Sequence, residues 1–565
     1  MIVLTALESN TCSSGDPTVS IIGSSSCHSL QAVLAAKQFL SGVRAVAPGA
    51  GTRFGTTAAL KLRPIQRDGN VVHELSYTGE QAKFYTRIYR NRDAISELVA
   101  HHLGICPAAC QVEEPKKWMS GSFNLCVPVN VNALRRVIMR FPLPYRVGEN
   151  FRPGNADEKV RCEAATYAWI SREHPSIPIP HLYGFALSTG QLLWHSLKCT
   201  FRKLLRLPLP SRLVQHPTAI PNKLGPYLLI DFIEETDGRM LSDDWHDKYD
   251  DNQTLRMNLF RNLANVILTL SHKPLPKIGS FTIDNNGFLR LENRPLSADS
   301  TIVENEETTL DIPRDRVYHT VDSYVNDLLS VHDNYLRYQP NSLARVADCV
   351  TQMSALSMMR ALSARFLEPG LNHGPFYLNL TDLHASNILV DEDWNIKYLI
   401  DLEWAIAQPL EFMQPPYWLT GETVDEISPD KYSERHKEFM EVFKEQERKI
   451  HPPHSIQCSS VMKRSWDTGA FWYILALQSP SGLSKLFYAR IQPQFTTVDM
   501  DRIPFLLTTY QHWTHDAAGF LKTKVKDKME YNERLQQIFG VEDKALNEGL
   551  KNDLDRFERA KISLG

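Results

Sequence analysis

One run constrains this chain more than any other: Phe376-Tyr377-Leu378-Asn379-Leu380-Thr381-Asp382-Leu383-His384-Ala385-Ser386-Asn387-Ile388-Leu389-Val390, followed by Ile396-Lys397-Tyr398-Leu399-Ile400-Asp401. Apolar segments over 376–378 and 388–390 flank a polar turn that begins at Asp382 and ends at Asn387. Asp391-Glu392-Asp393-Trp394-Asn395 reads as a hairpin turn, because Asp and Asn side chains hydrogen-bond the nearby backbone. Residues 396–400 then read as the returning strand. A hairpin sets the start of one strand beside the end of its partner, so the pattern predicts Asn387 next to Asp401. An amide oxygen and a carboxylate at one point suit magnesium, which takes oxygen ligands and keeps several waters.

These residues resemble the aminoglycoside phosphotransferase and choline kinase group, a branch of the protein-kinase-like fold. More narrowly, Leu380-Thr381-Asp382-Leu383-His384-Ala385-Ser386-Asn387 with Ile400-Asp401-Leu402-Glu403-Trp404 is similar to a large fungal set of phosphotransferase-family proteins. The resemblance starts near Tyr77-Thr78-Gly79-Glu80-Gln81 and runs almost to the end of the chain. It implies an α+β, bilobal protein-kinase-like fold with a small β-rich N-lobe and a large, mainly helical C-lobe. It also implies ATP and Mg2+ as cofactors and a small-molecule hydroxyl as acceptor. By the same resemblance Asp382 matches the catalytic base, while Asn387 and Asp401 match the metal ligands. Many members carry His two residues before the catalytic Asp; this chain has Leu380, read as a variant packing of the loop. His384 matches a His often found two residues after that Asp, and reads as a loop-packing side chain.

Upstream, Trp118-Met119-Ser120-Gly121-Ser122-Phe123-Asn124-Leu125-Cys126-Val127 reads as strand, tight turn and strand. Taken alone it is a plain hairpin. The fungal set carries a similar stretch where its nucleotide loop sits, which makes Gly121 and Ser122 candidates for close backbone approach to phosphate. Val137-Ile138-Met139-Arg140-Phe141-Pro142 reads as a buried strand ending in a base. Kinase-like enzymes place Lys there; Arg140 keeps the charge with a different reach and geometry. Val160, Glu163, Ala164, Tyr167 and Ala168 share one face of a helix that Pro175, Pro178 and Pro180 prevent from continuing. An acid on an apolar face needs a partner, and Glu163 is the natural partner of Arg140. Glu158 is the alternative, although an acid near a helix start is also explained by the helix dipole. Tyr227-Leu228-Leu229-Ile230-Asp231-Phe232-Ile233 reads as the strand entering the hinge, and the resemblance makes Asp231 and Ile233 candidates for the adenine site.

The expected organisation is a disordered extension over 1–74, an N-lobe over 75–233 with a solvated insertion at about 191–222, and a C-lobe over 234–565. The 565 residues, 43% of them apolar and 22% charged, suit a core with a water-facing surface. A net charge of −3 gives no pull toward nucleic acid, and no apolar run reaches membrane-spanning length. Nine scattered cysteines suggest a reducing compartment, hence the cytoplasm. Residues 29–63 carry bases and no acids, a faint organelle-targeting flavour. Asn286-Gly287 predicts a second hairpin, and 298–314 reads as an acidic surface loop. Long charged helices are expected over 434–449 and 522–539. Two other readings stay open: a kinase-like nucleotide-binding scaffold with little or no catalysis, and an interaction protein. A protein kinase is disfavoured, because no Asp-Phe-Gly stands at Asp401 and no Ala-Pro-Glu follows.

Overall fold

A computed structural model describes residues 44–45, 69–132, 135–187, 224–422, 424, 426–450, 457–496, 502–540 and 543–564. The expected insertion at about 191–222 and nearly all of the expected extension over 1–74 lie outside the described residues. The fold mixes helices with largely antiparallel sheets.

The largest sheet has seven strands: β1 (Arg44–Ala45), β2 (Cys110–Val112), β3 (Met119–Ser120), β4 (Asn124–Val131), β5 (Arg135–Pro142), β6 (Leu182–Ala186) and β7 (Tyr227–Asp231). Their order is β1-β3-β4-β5-β7-β6, with β2 also on β4. Every pairing is antiparallel except β1 with β3. Period-two alternation sorts β4 and β5 into two faces. Leu125, Val127, Val129, Val137, Met139 and Phe141 are buried with Phe84, Tyr85 and Ile88 from the helix Tyr77–Arg90. The other parity sends Cys126, Ile138 and Arg140 toward a large cavity. The helix Asn155–Glu173 carries Val160, Ala164 and Tyr167 into the central core, where Trp169 stacks on Phe281 with centroids 5.2 Å apart.

Three small sheets follow. β8 (Arg239–Met240) pairs with β12 (Ile388–Val390), which pairs with β13 (Ile396–Leu399); β9 (Ser280–Ile283) pairs with β10 (Leu289–Asn293); β11 (Phe376–Leu380) pairs with β14 (Ala405–Pro409). The expected Asn-Gly hairpin is β9–β10, with Gly287 at φ 81°. The other large apolar cluster is helical, joining Val321–Tyr338, Val346–Phe366 and Ala470–Leu477. Every residue of Ala470–Leu477 is buried, as expected for a helix apolar all round. The two long charged helices are Pro429–Ile450 and Ala517–Phe539.

Two expectations need correction. Regular structure begins before residue 75: Asn70 caps the helix Val71–Glu74, and Val71 packs against Tyr531 and Leu535. The segment expected as an acidic surface loop over 298–314 holds a helix, Ala298–Asn305, started by reciprocal capping between Ser297 and Ser300. Glu304 is buried there rather than solvated. Arg294, itself 1% exposed, meets it with Nη1 and Nη2 at 2.8 and 2.9 Å. Among the described residues no helix is long and apolar enough to cross a membrane.

Candidate functional site

A cavity of about 730 Å³ lies between the seven-stranded sheet and the helical cluster. Gly121, Ser122, Arg140, Asp231, Ile233, Asp382, Asn387 and Asp401 all line it. Glu163 does not; it is fully buried behind Arg140 and reaches the cavity only through that guanidinium.

The catalytic-loop segment is positioned by two ladders. β11 and β14 pair with Leu380 opposite Ala405, and the backbone N–H of Thr381 donates to the Trp404 carbonyl at 3.0 Å. β12 and β13 pair with Ile388 opposite Leu399, and the N–H of Ile400 donates to the Asn387 carbonyl at 3.0 Å. Asn387 and Asp401 are thereby neighbours, as the hairpin predicts. Asp401 has φ 57°, a left-handed backbone that Asp tolerates better than most residues.

Asn387 Nδ2 donates to the Asp382 carbonyl at 2.8 Å and lies 3.4 Å from Asp382 Oδ2. This fixes the amide and leaves its Oδ1 as an acceptor. Burial raises the Asp382 carboxyl to about 8, helped by the negative charges of Glu403, Asp401 and Asp299. The His384 Nδ1 accepts from the Ser386 N–H at 3.2 Å, so the proton of the neutral ring sits on Nε2, 3.9 Å from Asp382 Oδ1.

Facing these groups is a buried charge cluster. Arg140 Nη1 donates to Glu163 Oε1 at 2.7 Å, and its Nη2 reaches Asp401 Oδ1 at 2.6 Å and Glu403 Oε2 at 3.0 Å. Lys159 Nζ donates to Glu403 Oε2 at 2.8 Å and to Asn124 Oδ1 at 2.7 Å. Burial raises Asp401, Arg140 opposing it; burial would raise Glu403 too, but Lys159 and Arg140 bring it below its ordinary value. Burial raises Glu163 to about 7 as well, so three carboxyl groups share two cations and the Asp401 oxygens at the open edge would gain from a further cation.

The residues fit magnesium. Asn387 Oδ1 and the Asp401 carboxylate are hard oxygen donors on adjacent strand ends, and two protein ligands leave room for phosphate and water. Among the described residues no group of three or more His, Cys, Asp or Glu forms a closed metal cage.

Other expected residues have different surroundings. Asp231 accepts from Tyr183 Oη at 2.6 Å and from the His181 N–H at 3.0 Å, so its carboxylate braces the hinge strand. A Cβ at Gly121 would meet nothing within 4 Å, and its N–H closes the turn on the Asn124 carbonyl at 3.0 Å. Glu158 does not compete for Arg140; it binds Arg294 through both oxygens and also Arg314. The residues missed in the sequence are Asn124, Lys159 and Glu403. Lys159 stands one helical turn before Glu163 on the same buried face, and Glu403 interrupts the apolar run Leu402-Glu403-Trp404-Ala405. Both positions demand partners, which is the signal that was there to read.

No protein-family model matches the chain, and no curated protein matches it in sequence. Solved structures that align with it include the apoenzyme of a macrolide 2'-phosphotransferase from Brachybacterium faecium, with 12% identity over 72% of this chain and 99% of that one, at TM-score 0.32. A type I macrolide 2'-phosphotransferase aligns with 12% identity over 68% and 90%, at 0.29. A Plasmodium vivax ethanolamine kinase aligns with 11% identity over 69% and 83%, at 0.33. Overlays this loose leave the functional reading to rest on the site's own geometry.

Proposed function

We propose that this protein is an ATP-dependent phosphotransferase that moves the γ-phosphoryl group to the hydroxyl of a small molecule. The observation that carries the reading is the meeting of Asp382, Asn387 and Asp401 at the cavity with Arg140 in contact with Asp401. In this reading the chain is bilobal: an N-lobe over about 75–233 clamps ATP between the Gly121–Ser122 turn and the hinge near Asp231 and Ile233, and 234–565 forms the C-lobe. Arg140, steadied by Glu163, contacts phosphate. Asn387 and Asp401 would hold Mg2+, which would supply positive charge to offset that of the phosphates. Asp382 orients the acceptor hydroxyl and, ionised where a bound cation would offset the burial and acidic neighbours that raise it, takes its proton; most of the rate comes from positioning and electrostatics. A cytoplasmic setting, and membership of the fungal set that the sequence resembles, belong to the same proposal.

The test is ADP release by the purified chain with a library of small alcohols. Asp382→Asn is expected to lower phosphoryl transfer by roughly 10²–10⁴ while retaining Mg-ATP binding. Transfer at the wild-type rate in that variant overturns the reading.

A second reading draws support from one contact. Arg140 Nη2 sits 2.6 Å from Asp401 Oδ1, where a cation would otherwise find a free carboxylate oxygen. A nucleotide-binding scaffold without turnover would keep that pair and leave only the second Asp401 oxygen to a cation. Magnesium-dependent ATP binding with no transfer to any acceptor distinguishes it.

A further inference from the structure

The strand pair that leads into the Asp382 loop has two different faces. In β11 and β14, Leu378, Ala405 and Ala407 turn into the central core, while Asn379, Ile406 and Gln408 line the cavity. Alternation therefore sets one carboxamide from each strand on the cavity face.

The two amides are not equivalent. Gln408 is 1% exposed, its Oε1 accepts from Asn379 Nδ2 at 2.9 Å, and it also hydrogen-bonds the Tyr324 phenol. A buried amide held from both ends fixes its neighbour in turn. With Nδ2 committed to Gln408, Asn379 Oδ1 is left over; it has no partner among the described residues, and Asn379 is half-buried at the cavity. An amide oxygen in that position is unfavourable once a ligand displaces its water, unless the ligand brings a donor.

The walls near this amide are apolar. Tyr324, Leu328 and Val331 share one face of the helix Val321–Tyr338, and Ile474 and Leu475 come from Ala470–Leu477. Among the described residues, no Asp, Glu, Lys or Arg of these two helices or of β11 and β14 lines the cavity. His332 is there, but burial holds it below its ordinary value and its Nε2 donates to the Leu477 carbonyl at 2.9 Å. An ammonium group entering this arm would lose its water and meet an amide oxygen in place of a counter-charge. A heavily hydroxylated body would find few partners.

We propose that Asn379 determines acceptor specificity: its Oδ1 accepts a hydrogen bond from a second hydroxyl of a neutral, otherwise apolar acceptor whose first hydroxyl meets Asp382. This rests on the phosphotransferase reading. Asp382 follows Asn379 by three residues, at most about 11 Å of chain, so the two hydroxyls stand several carbons apart. In the transfer step the acceptor oxygen bonds to the γ-phosphorus, the bond from that phosphorus to the β–γ bridging oxygen breaks, the hydroxyl proton goes to Asp382, and ADP leaves with the bond electrons.

The test uses the full chain with ATP and Mg2+ and three matched series on hexyl and octyl chains: the α,ω-diols, the corresponding mono-alcohols and the ω-amino alcohols. ADP release gives kcat/KM, and calorimetry gives Mg-ATP affinity. The diols are expected to exceed the mono-alcohols by roughly three- to tenfold, as one neutral hydrogen bond implies, beyond the statistical gain of two equivalent hydroxyls. The amino alcohols are expected to fall below the diols. Asn379→Leu should bring diols and mono-alcohols level through KM. Asn379→Asp, the same shape with a charge, should reverse the order in favour of the amino alcohols, which a merely structural role would not do. Diols no better than mono-alcohols in the wild type, or amino alcohols ahead of diols, overturns the proposal whether or not the variants fold. So does an order unchanged in Asn379→Asp, or no transfer to any panel member while Mg-ATP binds. Absence of Mg-ATP binding overturns the phosphotransferase reading as well.

Discussion

Asn124 Nδ2 donates to Glu403 Oε2 over 2.8 Å, joining residues 279 positions apart. The same oxygen accepts from Arg140 at 3.0 Å and Lys159 at 2.8 Å. Asn124 opens β4 immediately after the turn that holds Gly121 and Ser122, and Glu403 follows Asp401 by two residues. One carboxylate oxygen therefore ties the candidate phosphate turn to the candidate metal segment. Phe123 against Trp404, with centroids 5.0 Å apart, reinforces the tie.

Removing Glu403 leaves two buried cations short of a partner, the most damaging way to alter a buried ion cluster. Glu403→Ala is expected to lose roughly 3–5 kcal/mol of stability, measured by urea unfolding. The double variant Lys159→Met/Glu403→Gln should be less destabilised than the sum of its single variants, because the pair is coupled.

Arg140 serves three carboxylates through two nitrogens, a fork that Lys cannot reproduce. Arg140→Lys is expected to weaken ATP binding roughly tenfold or more, as loss of a charge-assisted hydrogen bond implies. Calorimetry with ATP checks this. An affinity unchanged in Arg140→Lys would remove Arg140 from the nucleotide site.

The Asp382 carboxyl stands at about 8 in the nucleotide-free fold against an ordinary 3.8. Below the ordinary value both folded and unfolded states hold the proton, and nothing is lost. Between the two values the unfolded chain releases it first, so stability falls as pH rises, and the full penalty is present above about 8. Asp382→Asn should therefore be indistinguishable from wild type near pH 4 and increasingly more stable toward pH 9. Thermal melting across pH, without nucleotide or metal, reads the difference.

Arg294, 1% exposed, holds both oxygens of Glu158 and both of Glu304. Arg294→Met should destabilise by roughly 3–5 kcal/mol. Hydrogen exchange should show the amides of the helix Ala298–Asn305 opening first.

The local pattern of the sequence reaches far into this site. The hairpin that unites Asn387 with Asp401, the strand that carries Arg140 and the Arg140–Glu163 pair all follow from alternation, turn residues and the need to partner a buried acid. What it does not reach is assembled across long separations. Glu403 finds Lys159 and Asn124 from elements more than 240 positions away, and no periodicity encodes that meeting. The helix Ala298–Asn305 was hidden by its charges: Glu304 looks solvated until Arg294 is seen beside it.

The central claim is a magnesium-dependent nucleotide site on Asp401. Calorimetry of ATP binding to the wild type and to Asp401→Ala, with and without Mg2+, tests it most directly. The account predicts that the wild type binds ATP with Mg2+ and far more weakly without it, and that Asp401→Ala loses that dependence. Wild-type protein that fails to bind ATP, or an Asp401→Ala variant with the full magnesium dependence, would contradict it.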